Sequence, residues 1–169
     1  MATDPRDEIW NAAYFSYYQT YYAEIVEDAL IGRWSYFDHV TKIAAAVTSG
    51  SSAVAGWALW KHPDYSWVWP LLTTASALLV IFAKQLTVAE KLRDHPNSRI
   101  VFSTLRIDLE SFRVKMRINP EFPIESFQDE LLGFRKRYAN EIKRLKHDVL
   151  LTQSLREKCQ VELNNRVKE

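Results

Sequence analysis

Two uncharged stretches of near-membrane length follow each other in this chain, with only a four-residue link between them. Ile43–Trp60 contains no Asp, Glu, Lys or Arg over 18 residues, and Tyr65–Ala83 contains none over 19. At about 1.5 Å per residue, each stretch would form a helix of about 27–29 Å, close to the hydrocarbon thickness of a bilayer. The link, Lys61–Asp64, is polar and rich in turn formers. The pattern predicts a transmembrane helical hairpin, with a buried hairpin of a soluble helical bundle as the alternative.

Basic residues flank the outer ends of this hairpin and not its link. Arg33 and Lys42 precede the hairpin, Lys84 and Lys91 follow it, and the link offers only Lys61. The positive-inside rule therefore predicts an inner (plasma) membrane protein with both termini in the cytoplasm. The first eight residues are polar and acidic, unlike a signal peptide, so the stretches themselves are expected to direct insertion.

Small and hydroxyl-bearing residues fill the first stretch. Small residues at four-residue spacing let helices approach closely in lipid, and hydroxyl groups can line a narrow aqueous path. If several subunits surround a pore, the expected pore-lining residues are Thr48, Ser49 and Ser52, with candidate hydrophobic constrictions at Val47, Val54 and Leu59. Simple hairpin packing explains the same pattern without a pore.

The motifs typical of enzymes and metal proteins are missing from the sequence. Cys159 is the only cysteine, so no intrachain disulfide can form, and the four histidines are scattered without Cys/His pairing. The chain has no dinucleotide-binding, P-loop or nucleophile-elbow motif. We therefore expect no catalytic residues, no metal site and no cofactor.

The near-neutral net charge hides an asymmetry along the chain. Residues 1–42 hold three Lys/Arg against seven Asp/Glu, whereas residues 84–169 hold 18 against 13. The basic residues are expected either to form a solvated face or to bind phosphates of a nucleotide or oligonucleotide. The candidate ligand-binding residues are Arg113, Arg117, Arg135, Arg137, Lys143 and Arg144.

The segment before the hairpin has the signals of an aromatic-rich helix. Asp4 can cap it and Pro5 suits its first position. An aromatic stripe follows at helical spacing, at positions 10, 14, 17 and 21. The stripe could lie at the membrane interface or pack on the other cytoplasmic helices. Packing is favoured, because Glu24 and Glu27 would be repelled by anionic lipid headgroups.

Two further helical patterns follow the hairpin. Apolar residues at three- and four-residue steps form one seam, at Phe102, Leu105, Leu109, Phe112 and Met116. Pro120 and Pro123 then predict a turn. Beyond Pro123 the apolar pattern continues to Cys159 without proline, which predicts a single helix of about 45 residues. Because one chain could not cover these faces, we expect packing between subunits or a projecting coiled coil with a stutter near Tyr138.

The expected architecture is an all-α integral membrane protein that assembles as a homo-oligomer. It divides into an aromatic-rich cytoplasmic or interfacial helix at residues 1–39, a transmembrane hairpin at residues 40–87, and a cytoplasmic helix–turn–long helix domain at residues 88–169. Membrane lipid is an expected partner.

The layout resembles that of the SLATT family, bacterial two-transmembrane effector domains associated with nucleotide-signalling conflict systems. The likeness lies in the leading "YYAEIVEDAL", the paired stretches "AAAVTSGSSAVAGWALW" and "WVWPLLTTASALLVIFA", and the trailing helical pair. The resemblance implies a membrane effector of antiviral defence, an oligomeric ion channel or pore controlled by a nucleotide-type signal from a partner nucleotidyltransferase-type enzyme. It supplies no catalytic residues.

Two other functions are compatible with the sequence. The chain could be a non-conducting membrane scaffold that recruits a partner protein through its long C-terminal helix. It could also be a soluble helical bundle that binds a nucleic acid.

Overall fold

The computed structural model describes residues 4–50, 67–145 and 147–168, and the regular structure in these ranges is α-helical throughout. This confirms the predicted all-α class. In chain order the helices are α1 (Pro5–Gly50), α2 (Val68–Gln85), α3 (Val88–Ile118), α4 (Ile124–Leu145) and α5 (Gln153–Lys168).

The chain divides into two compact units. The first unit combines Met1–Ile31 with Asp94–Glu169, and the second unit is Gly32–Arg93. The first unit is thus built from two distant parts of the sequence, and the second is inserted between them. The domain boundaries predicted after residues 39 and 87 stay a prediction.

The start of α1 follows the expected capping chemistry. The Asp4 carboxylate accepts a hydrogen bond from the backbone N–H of Arg6 at 2.9 Å, and the Asp4 carbonyl accepts one from Asp7. Pro5 is the first helical residue, where its missing N–H costs no helical hydrogen bond. The predicted cap is confirmed.

The core of the first unit forms where α1 and α4 cover the seam on α3. All five seam residues are buried. The last four pack with Ile9 and Ala13 of α1, Phe122 of the turn and Leu131 of α4, and the Phe102 ring lies 5.9 Å from that of Tyr138 in α4. The Phe112 ring lies 5.2 Å from that of Phe127 and 5.6 Å from that of Phe134. The seam is confirmed as a packing face, but its partners belong to the same chain. The uncovered seam from which we expected assembly is therefore not present.

The predicted single helix of about 45 residues after Pro123 is wrong. The turn at residues 119–123 is confirmed, but α4 ends at Leu145 and α5 begins at Gln153. Between them Asp148 accepts a hydrogen bond from the N–H of Leu150 at 2.9 Å, and the Thr152 hydroxyl accepts one from the N–H of Leu155 at 3.3 Å. Short polar side chains that bond to nearby backbone can end a helix without proline or glycine.

The second unit contains α1 from Gly32 onward, all of α2, and the first residues of α3 up to Arg93. Apolar side chains of α2 are exposed along its length, at Leu71, Leu78, Val80, Ile81 and Phe82. Within the described ranges, no helix combines the length and the apolar character needed to cross a membrane. Of the first uncharged stretch, residues 43–50 belong to α1, and residues 51–60 lie outside the described ranges together with the link.

Candidate functional site

A buried histidine held between two carboxylates is the main polar feature of the first unit. His95 of α3 places its Nδ1 2.6 Å from Oε2 of Glu27 in α1 and its Nε2 3.1 Å from Oδ2 of Asp148. The three side chains, here called the His95 cluster, are 7%, 1% and 0% exposed for His95, Glu27 and Asp148. Only the protonated imidazolium has an N–H on both nitrogens, so this geometry fits the charged form.

The interactions within the His95 cluster change the pKa values of His95 and Glu27. Burial alone would lower the pKa of His95, but the hydrogen bonds to Asp148 and Glu27 outweigh burial and raise the pKa to about 9. Burial raises the pKa of Glu27, while the hydrogen bond from His95 acts to lower it. The nearby carboxylate of Glu141 raises the pKa of Glu27 further. The Glu141 carboxylate also accepts a hydrogen bond from the Ser98 hydroxyl at 2.5 Å.

The His95 cluster joins three parts of the first unit through one titratable ring. Glu27 belongs to α1, His95 to α3, and Asp148 to the segment between α4 and α5. Sequence reasoning missed this site, because His95 lies 68 positions from Glu27 and 53 from Asp148. A lone histidine and two separate carboxylates carry no spacing signal that would bring them together.

A second polar site pairs arginines of α3 with the aromatic stripe of α1. The Arg113 guanidinium carbon lies 5.6, 4.9 and 5.1 Å from the ring centres of Trp10, Tyr14 and Tyr17. Two turns earlier, Arg106 lies 4.8 Å from the Tyr21 ring. The aromatic stripe does pack on other helices of the unit, as predicted, but part of its surface contacts cations. Each such contact contributes about 0.5–2 kcal/mol, more when it is shielded from water.

Glu24, whose charge argued against a membrane-surface position for α1, also has a partner in the first unit. Its Oε2 accepts a hydrogen bond from Arg106 Nε at 2.7 Å. A cation over an aromatic ring and a carboxylate at its edge together fix the side chain of Arg106.

The other candidate ligand-binding residues differ in their surroundings. Arg135 donates to the Ser16 hydroxyl at 3.3 Å, and Arg137 pairs with Asp108 at 2.7 Å. The side chains of Arg117 and Lys143 are exposed. Arg144 belongs to α4, and its side chain lies outside the described part of the chain. Their role in binding a ligand stays a prediction.

A cavity of roughly 260 Å³ lies between the start of α1 and α4. Arg135 contributes a positive charge to its lining, Glu8 contributes a carboxylate, and Ile9 and Leu131 are among its apolar residues. The opposed charges do not single out an anionic ligand.

Three of the six predicted pore residues lie within the described ranges, and three lie outside them. Val47, Thr48 and Ser49 belong to the last turn of α1, without a description of their side chains. Ser52, Val54 and Leu59 lie outside the described residues. Their role in lining or closing a pore stays a prediction.

Among the residues described, no three His, Cys, Asp or Glu side chains are grouped so that they could hold a metal ion. Comparison with protein families, curated proteins and solved structures found no match to this chain.

Proposed function

We propose that this chain is a membrane effector of a bacterial antiviral, nucleotide-signalling defence system. Its hairpin inserts into the inner membrane with both termini in the cytoplasm, and several copies form an ion channel or pore. The first unit is the cytoplasmic part that responds to a nucleotide or oligonucleotide made by a partner enzyme. The observation that carries the proposal is the exposed apolar surface of α2.

The apolar side chains of α2 face outward on opposite sides of the helix. At 100° per residue, Leu71, Leu78 and Phe82 lie on one side, and Val80 lies on the other. Leu71 is 59% exposed, Phe82 is 56% exposed and Val80 is 47% exposed. Exposed apolar side chains on opposite sides of one helix are typical of a helix that contacts lipid, although no described helix has the full length and apolar character of a span.

The second support is the charge pattern of the sequence. Lys84 and Lys91 follow the second stretch and Lys42 precedes the first, so the positive-inside rule applies to both outer ends. The interruption at Lys61–Asp64 matches a turn outside the membrane. Residues 51–66, which carry much of this pattern, lie outside the described ranges.

The control step of the proposal belongs to the first unit. A ligand shifts an equilibrium only by the difference between its affinities for the two states. Lys143 and Arg117 are exposed and can contact a polyanion directly. Arg137 would have to exchange its ion pair with Asp108 for a contact with the ligand.

Membrane insertion is tested by fractionation of cells that express the full chain. The wild type should stay with the membranes after alkaline extraction. Ala75→Arg places a charge near the middle of the second stretch at a cost of roughly 3 kcal/mol, and it should increase the extractable fraction. Val161→Arg, on the exposed face of α5, is the matched control. A wild type found wholly in the soluble fraction would overturn the proposal and favour a soluble nucleic-acid-binding bundle.

Conduction is tested with the purified protein in liposomes that carry an ion-sensitive dye. Cyclic dinucleotides and short oligoribonucleotides serve as probes of the control step. Flux that changes with a probe, and that loses this response in Lys143→Glu but not in Lys168→Glu, supports a gated pore. Inserted protein that gives no flux under any probe contradicts the pore and favours a non-conducting scaffold.

A further inference from the structure

The face of α3 opposite the buried seam carries a second regular stripe. Its apolar members are well exposed, at 60% for Ile100, 53% for Ile107, 46% for Val114 and 78% for Ile118. Two exposed hydroxyl residues, Thr104 and Ser111, lie between these apolar residues at the same helical spacing. We call this face the outer stripe, and its residues are Ile100, Thr104, Ile107, Ser111, Val114 and Ile118.

The spacing of the outer stripe is that of a helix-pairing seam. Its six residues follow steps of four, three, four, three and four, which is the heptad pattern of a coiled coil. A helix uses this pattern to present one narrow face to a second helix along several turns. α3 therefore has two such faces, and only the seam is covered within the described part of the chain.

The charges beside the outer stripe indicate which helix fits it. Asp108 and Lys115 lie along one edge, and Glu110 and Arg117 lie along the other, in both cases an acid seven residues before a base. Such an edge is complementary to an antiparallel copy of itself. Both residues of the first edge also have exposed ion pairs to α4, Asp108 with Arg137 at 2.7 Å and Lys115 with Glu130 at 3.0 Å. Exposed ion pairs of this kind are weak, so Asp108 and Lys115 can also pair with charged residues of a second copy.

One antiparallel register satisfies the apolar and the charged groups together. When Ile107 packs against Ile118 of a second copy, Ser111 packs against Val114, a small residue against a branched one. The same register brings Glu110 opposite Arg117 and Asp108 opposite Lys115, and two-fold symmetry repeats each contact. A parallel pair in register would match only Glu110 with Lys115.

We propose that a second copy of this chain packs antiparallel on the outer stripe and forms a two-fold symmetric dimer. The dimer is the unit from which the assembly in the proposed function would be built, and in that respect the inference rests on it. The contacts of the dimer belong to α3 alone. The interface replaces the seam that the sequence suggested, which is covered by α1 and α4.

The first test measures the mass of the full chain in mild detergent at a series of concentrations. The wild type should show a dimer or an even multiple of it. Ile107→Asp places a charge in the desolvated interface of both copies and should weaken dimerisation at least about 100-fold. Val161→Asp, at a similarly exposed valine of α5, should leave the mass unchanged. A monomeric wild type, or an unchanged mass for a helical Ile107→Asp protein, would overturn the proposal.

A charge exchange tests the direction of pairing without altering the apolar residues. Glu110→Arg alone and Arg117→Glu alone should each weaken the dimer about tenfold or more, because each creates two like-charge contacts. The double variant restores both contacts in the antiparallel register and should recover dimerisation. In a parallel pair the new arginine at 110 would face Lys115, so failure of the double variant to recover would refute the proposed register. If circular dichroism shows that Ile107→Asp has lost its helical structure, these surface variants still test the dimer.

The results separate this inference from the proposed function. Protein that dimerises as described but gives no membrane insertion or flux refutes the function and leaves the dimer. Protein that conducts while remaining insensitive to Ile107→Asp refutes the dimer and leaves the function.

Discussion

The His95 cluster makes the free energy of unfolding depend on pH in a defined window. The pKa of His95 is about 9 in the folded protein and 6.5 when the side chain is unperturbed. A raised histidine pKa stabilises the fold fully below pH 6.5, and this stabilisation is lost as the pH rises through 9. The slope approaches 1.4 kcal/mol per pH unit within the window, so the total is about 3 kcal/mol. The His95 side chain is 7% exposed, so solvent screening reduces this value little.

The perturbation that isolates this contribution is His95→Gln. Glutamine keeps hydrogen-bonding groups near Glu27 and Asp148 but cannot carry the charge. The variant should be less stable than the wild type by about 3 kcal/mol at pH 6, and this difference should shrink steadily between pH 6.5 and 9. The pKa of Glu27 is also raised, so wild-type stability falls further as Glu27 ionises above pH 4.5.

Urea unfolding of the full chain in mild detergent, followed by circular dichroism from pH 5.5 to 9.5, measures the difference directly. His147→Gln is the matched control, since His147 belongs to the same unit and its side chain is exposed. The control should follow the wild-type curve. A constant difference between wild type and His95→Gln across the whole range would refute the reasoning, because it would mean that His95 does not bind a proton more tightly in the folded state.

Three further substitutions, one of them with a matched control, have expected outcomes in thermal or urea unfolding. Arg113→Ala should lower the free energy of unfolding by about 1–3 kcal/mol through loss of three ring contacts, whereas the control Lys136→Ala, at an exposed residue of α4, should change it by less than about 0.5 kcal/mol. Leu131→Asp should unfold the first unit, and not merely dissociate subunits, because it places a charge in the core at a cost of several kcal/mol. Thr87→Gly should raise stability by up to about 1 kcal/mol, since Thr87 has a φ of 49° that a β-branched residue adopts only with strain.

Local signals in the sequence were sufficient for the helices that begin or end at a recognised breaker. Asp4 and Pro5 mark the start of α1, and the prolines at 120 and 123 mark the turn before α4. The seam of α3 also follows directly from its spacing. These features depend on residues within one or two turns of each other, so a single sequence contains all the information that determines them.

The break before α5 and the site chemistry depend on contacts that spacing does not reveal. Asp148 accepts a hydrogen bond from the Leu150 N–H with one carboxylate oxygen and holds His95 with the other, and neither role has a sequence signature. Arg113 and Arg137 looked alike as basic residues, yet one lies among aromatic rings and the other pairs with a carboxylate. Charge alone cannot distinguish a cation with a partner from one available to a ligand.

The division of the first unit between the two ends of the chain has a consequence for biosynthesis. Met1–Ile31 leaves the ribosome first, but its packing partners begin at Asp94. The Tyr18 hydroxyl donates to Asn164, 146 positions later in the sequence. The aromatic residues of α1 therefore lack these partners until residues 94–164 have been synthesised, and contacts this distant in sequence form slowly. The inserted second unit is synthesised during that interval, so nascent chains expose an aromatic surface to aggregation and proteolysis before the first unit can close.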